Sequence, residues 1–77
     1  MGATKEEKYE LLGFNISRMR KKAKISQKKV AKAFNVTTRT ISNWEHGKGV
    51  DVILLIDLAD MFDCTIDDFY LGLSLSK

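Results

Sequence analysis

The 77-residue chain has no proline, a single cysteine, a single histidine, and no hydrophobic run longer than the five residues VILLI at 52–56. A membrane-spanning helix needs about 20 consecutive apolar residues. No such segment exists here. One cysteine cannot form an intramolecular disulfide, and with no secretory-signal pattern the reducing cytosol is the expected compartment. One histidine and one cysteine are too few to assemble a Ser/His/Asp or Cys/His catalytic set or a metal site, and no phosphate-cradling glycine motif is present. The expectation is therefore a protein with no catalytic residues, no metal and no cofactor.

What remains is a small soluble domain with 44% hydrophobic and 30% charged residues. A chain of this size buries roughly 60% of the surface it exposes when unfolded, enough for one modest core and no large cleft. The charges are unevenly placed. Residues 1–49 carry 12 Lys/Arg against four Glu, a net +8, whereas residues 50–77 carry one Lys against six Asp, a net −5. A polyanionic partner for the first part and self-association for the second would account for that division.

Without proline, breaks have to be read from glycine, asparagine and helix caps. Five helices result, so the fold class is all-α. The first runs from about Glu6 or Gly13 to Lys24, with Tyr9, Leu12, Ile16, Met19 and Ala23 at helical spacing. Thr4 and Glu7 form a capping box for the earlier start, while Gly13 offers a break between an N-terminal arm and the packed helix. Ser26 caps a second helix whose Val30, Ala31 and Phe34 share a face, and Asn35 supplies the left-handed residue of a tight turn. Thr37 caps a third helix through Glu45, with Ile41 and Trp44 turned to the core and Gly47 and Gly49 beyond its end. Asp51 caps a fourth, along which Leu55, Leu58, Ala59 and Phe62 keep the period. Thr65 and Asp68 open a short fifth helix through Ile66, Phe69 and Tyr70. Domain boundaries follow: an arm or helix extension at 1–12, a folded unit at 13–71 with its helix pair at about 26–46, and a tail at 72–77.

On the third helix, positions 38, 39, 42, 43 and 46 lie opposite Ile41 and Trp44. That face reads Thr38, Arg39, Ser42, Asn43, His46 and contains no acid. Its groups are of the kinds that read base edges in a DNA major groove: Arg for guanine, Asn for adenine, a Thr methyl for thymine. A tight turn before such a helix fixes the angle at which it enters the groove.

From Arg20 to Phe69 the sequence resembles the helix-turn-helix domain of the lambda repressor and Cro family, the XRE family. The likeness is carried by Arg20, Ser26-Gln27, Val30-Ala31, Asn35-Val36-Thr37, Ile41-Ser42, Trp44-Glu45 and Gly47, in register without a gap. Asn35 stands where the family usually has Gly, the proline common before the fourth helix is absent, and the GKGVDV loop is about one residue short. The resemblance implies a compact five-helix lambda-repressor-like domain that binds double-stranded DNA as a sequence-specific transcriptional regulator, a repressor. It assigns base contacts to Thr38, Arg39, Ser42 and Asn43, and backbone contacts to Gln27, Thr37, Thr40 and Lys48, with Lys28 and Arg18 as weaker candidates. It also assigns a structural salt bridge to Arg20 and Glu45. A homodimer on an inverted-repeat operator is expected, its axis near the fifth helix and tail. The alternative is a protein-interaction module of the same fold, antitoxin-like or anti-repressor-binding, using an apolar end formed by Phe69, Tyr70, Leu71, Leu73 and Leu75.

Overall fold

The computed structural model describes residues 4–73, and these form five helices and no strand. They are α1 (Lys5–Lys22), α2 (Gln27–Phe34), α3 (Thr38–Trp44), α4 (Val52–Phe62) and α5 (Ile66–Phe69). Every start is marked by a side chain that accepts from the backbone three residues on: Thr4, Ser26, Thr37, Asp51 and Thr65 accept from the amides of Glu7, Lys29, Thr40, Leu54 and Asp68. These contacts satisfy amides that a helix start leaves without a partner. The Thr4–Glu7 and Thr65–Asp68 pairs are reciprocal capping boxes.

Three helices end on a residue other than glycine with positive φ nearby. Lys24, Asn35 and Asp63 have φ of 61°, 57° and 55°. After each, the chain closes with a bond back across the last turn, as from the amide of Val36 to the Ala31 carbonyl (2.9 Å) and from Cys64 to Ala59 (3.0 Å). The first helix therefore stops at Lys22 and not at Lys24, because Lys24 has already left the helical region. The third and fifth stop one residue short of expectation, with Glu45 and Tyr70 as their C-caps.

Gly13 does not break α1. Its role is spatial. A Cβ there would lie 2.4 Å from the Gly47 amide nitrogen and 2.6 Å from the Glu45 carbonyl, and a Cβ on Gly47 (φ +83°) would lie 2.0 Å from the Tyr9 carbonyl oxygen. The middle of α1 thus meets the backbone that follows α3 across two residues without side chains. The helix is continuous from Lys5, with Leu12 already in the core while the Tyr9 side chain is exposed.

The core is one cluster: Leu12, Ile16 and Met19 of α1, Val30 and Ala31 of α2, Ile41 and Trp44 of α3, Leu55, Leu58, Ala59 and Phe62 of α4, and Phe69 of α5. Phe34 meets Trp44 edge to face at 5.6 Å, and Phe62 meets Phe69 in the same manner at 6.4 Å. Phe69 is fully buried, which corrects its placement in an exposed apolar end. Tyr70 and Leu71 do face solvent and Leu73 is half-buried; Leu75 lies outside the described residues.

Phe69 is held by a residue that apolar periodicity passes over. Asn15 lies on the core face of α1, only 2% exposed, and its Nδ2 donates to the carbonyls of both Phe69 and Leu71 at 2.8 Å. Arg18 adds a bond from Nη2 to the Asp68 carbonyl at 3.3 Å, so α1 grips α5 by its backbone. Leaving buried acceptors without donors costs about 1–3 kcal/mol. Asn15→Leu is expected to lower the unfolding free energy by at least that amount, measured by urea denaturation, and to loosen α5 first.

The α5 cap also makes stability depend on acid. Bonds from the Thr65 backbone, and then from its hydroxyl, hold the Asp68 carboxyl below its ordinary value of 3.8, Lys22 and Arg18 adding to the effect. A carboxyl with a depressed folded value contributes stability that is present above its unfolded value and lost as pH falls through the folded one. Melting temperatures below about pH 4 should therefore fall more steeply for the wild type than for Asp68→Asn, which lacks this component at every pH.

Candidate nucleic-acid interface

Helices α2 and α3 pack on each other across the Asn35 turn. The turn is short because Asn35 adopts the left-handed conformation and Thr37 caps α3 two residues later. The Thr37 hydroxyl accepts from the Thr40 amide at 3.2 Å and lies 3.2 Å from the Thr40 hydroxyl. Both threonines are thereby fixed at the first turn of α3, Thr37 exposed and Thr40 half-buried.

An open groove runs along the outer side of α3, lined by Gln27, Thr38, Arg39, Ser42, Asn43, His46 and Lys48. All four residues expected to touch bases are there, with two of the four assigned to the DNA backbone, Gln27 and Lys48. Thr38, Arg39 and Asn43 are exposed and Ser42 is half-buried, whereas Ile41 and Trp44 are buried behind them. The loop after α3 folds back so that the Lys48 amide donates to the Asn43 carbonyl at 2.8 Å, which sets Lys48 at the groove's end. Arg18 is not in this groove, being engaged with α5. Lys28 is exposed on the first turn of α2.

Behind the groove lies a bonded cluster of charged and polar groups. Arg20 Nε is 2.5 Å from Glu45 Oε2, its Nη2 is 3.4 Å from Glu45 Oε1, and its Nη1 donates to the Ile25 carbonyl at 2.8 Å. The two side chains are 10% and 8% exposed. Gln27 Nε2 donates to the same Glu45 Oε1 at 3.0 Å, so one carboxylate receives α1 and the start of α2 together. Among the described residues its second amide N–H and the backbone amides of Gln27 and Lys28 have no partner, whereas the Lys29 amide is taken by the Ser26 hydroxyl. Among the described residues no buried side-chain N or O lacks a hydrogen-bond partner.

A helix-turn-helix family model matches residues 16–69, well over half the chain. The chain belongs to the XRE, lambda repressor-like helix-turn-helix family. No curated protein matches it. The match spans α2, α3, α4, α5 and the part of α1 that carries Arg20, so the groove and the ion pair behind it both fall inside the helix-turn-helix unit. Membership makes this a DNA-binding domain of the regulator type, with double-stranded DNA as its class of partner. No described helix is long and apolar enough to cross a membrane.

One residue of the helix-turn-helix groove stands outside the expected contact set. His46 is exposed at the far end of the groove from Thr38, and its Nδ1 lies 2.8 Å from the Ser42 carbonyl oxygen. Its helical phase places it on the groove face, but the bond to Ser42 is visible only in three dimensions.

Removing one partner of a buried, bonded ion pair strands the other, at about 3–5 kcal/mol. That is comparable to the whole stability of a small domain. Arg20→Ala should lose its cooperative melting transition and DNA binding together, whereas a double replacement by apolar residues of similar volume should melt cooperatively. A single mutant with a wild-type melting curve would show that the pair carries no structural weight.

Proposed function

We propose that this protein is a sequence-specific transcriptional regulator, a repressor, that inserts α3 into the DNA major groove. The observation that carries the reading is the composition of the α3 groove: four polar side chains of base-reading types, cations at its sides, and no exposed carboxylate among its lining residues. Thr38, Arg39, Ser42 and Asn43 read bases, and Gln27, Thr37, Thr40 and Lys48 fix the domain on the sugar-phosphate backbone. The DNA-binding unit is residues 13–71, extended N-terminally by the first turns of α1.

A single module of this size buries less surface than operator-level affinity ordinarily needs, so the protein acts as a homodimer on an inverted repeat. Exposed apolar side chains on α4 and beyond α5 support a protein-facing side. Val52, Ile53 and Ile56 are 62%, 66% and 49% exposed, and Leu71 is 60%. The same stripe is the observation that favours the second reading, a module of this fold whose main work is to hold another protein.

Arg39 carries the largest share of sequence discrimination in this reading. It is the cation in the first turn of α3, and its planar fork matches guanine O6 and N7. Arg39→Ala should cost about 1–3 kcal/mol on the preferred operator and relax selection at one base pair per half-site. Lys48→Ala should weaken all duplexes alike and reduce the salt slope by about one. Selection from randomised operators, followed by anisotropy titrations over salt, separates the two effects. Uniformly weakened binding with unchanged base preference in Arg39→Ala would reassign Arg39 to a phosphate.

A further inference from the structure

We infer that His46 is a DNA-contacting residue whose hydrogen-bonding character is set by the Ser42 carbonyl and which makes DNA binding tighten as pH falls. The inference rests on the reading of the α3 groove as the DNA interface. A carbonyl oxygen only accepts, so the 2.8 Å contact requires Nδ1 of His46 to carry a proton. In the neutral ring Nε2 then has no proton and presents a lone pair, which a phosphate oxygen repels. In the charged ring both nitrogens donate, and Nε2–H becomes a cationic donor matched to a phosphate. Nδ1–H donates in either form, so the Ser42 bond is compatible with both and Nε2 changes from acceptor to donor without a change of ring orientation.

The surroundings favour such a role. His46 lines the α3 groove with Ser42, Asn43 and Lys48, and on its other side borders a depression whose α1 wall holds Glu10, Phe14, Ser17 and Lys21. The charged groups facing it are therefore Lys48 from the loop, Arg39 from its own helix, and Lys21 and Glu10 from α1. Its neighbour Glu45 is bonded to Arg20 and Gln27. The only α2 residue in that lining is the neutral Gln27. Cations predominate in the free protein, and a phosphate arriving between Lys48 and His46 reverses that balance in favour of the imidazolium. The proton is thus taken up with the DNA.

Histidine is the side chain whose ordinary charge change falls between about pH 5 and 8, and this chain has a single one. That makes the test clean. Affinity for a rhodamine-labelled random-sequence duplex is measured at about pH 5.5 and about pH 7.5 over a range of salt, for the full chain and for His46→Gln. The expected result is binding up to about tenfold tighter at the lower pH, with a salt slope steeper by about one, and loss of both effects in His46→Gln. A pH-independent wild-type affinity overturns the inference while leaving the DNA-binding reading intact. The same pH dependence in His46→Gln also overturns it, assigning the proton to another group such as the terminal amine. Absence of duplex binding at either pH removes both readings.

Discussion

The guanidinium of Arg20 is the point on which the rest of the arrangement depends. It joins α1 to the Ile25 carbonyl before α2 and to the Glu45 carboxylate at the end of α3, and Gln27 closes the set by donating to that same carboxylate. Burying this pair carries a desolvation cost that its attraction only partly offsets. Its contribution is therefore geometric. Apolar contacts through Ile41 and Trp44 hold α3 against the core but tolerate rotation about its axis, whereas a forked set of bonds with fixed directions does not. The Gly13–Gly47 approach acts at the same place, letting α1 seat directly on the backbone that follows Glu45.

The pair also shapes the electrostatics. Glu45 is the one carboxylate between residues 11 and 50, and it is the one that is buried. Folding thus withdraws the sole acid of this stretch from solvent, while Lys28, Lys29, Lys32, Arg39 and Lys48 remain exposed. A leucine at position 45 would offer Arg20 no acceptor, and a glutamine only one neutral oxygen where the carboxylate accepts from Arg20 at both. The residue that fixes the angle of α3 and the absence of negative charge from its outer face have a common origin.

What was legible in the sequence follows the range of the interactions. Caps bond a side chain to its own backbone three residues away, so Ser26, Thr37, Asp51 and Thr65 announce their helices locally. The groove-facing positions of α3 follow from helical phase alone, since a polar face opposite Ile41 and Trp44 needs no tertiary knowledge. Asn15 was not legible, because its partners Phe69 and Leu71 lie 54 and 56 residues away and a polar residue on an apolar face reads as an interruption. Phe69 belongs with it: its ring is buried by packing against α1 and the Phe62 ring of α4, which a local pattern at the chain's end does not show. Arg20 and Glu45, 25 residues apart, became a pair only through resemblance to a family, since no local pattern links them. Gly13 looked like a helix break because propensity records its entropy and not what approaches it.

An α3 of seven residues would not persist alone, since helices shorter than about 12 are marginal in water. Its order is borrowed from the core, so in the proposed binding mode mutations remote from the groove act on recognition through the angle of α3. The division of charge adds an effect of longer range. With the acids of α4 and α5 gathered C-terminal to residue 50 and the cations before it, the domain has a strong charge asymmetry, and in the field of a polyanion it turns its basic side inward. The molecule is 39 Å in its longest dimension and the Debye length at 0.1 M salt is about 10 Å. In the proposed binding mode, steering works over the last few water layers before contact, where it selects the orientation in which α3 would meet the groove, and the bonded cluster around Glu45 holds that helix at a set angle beforehand.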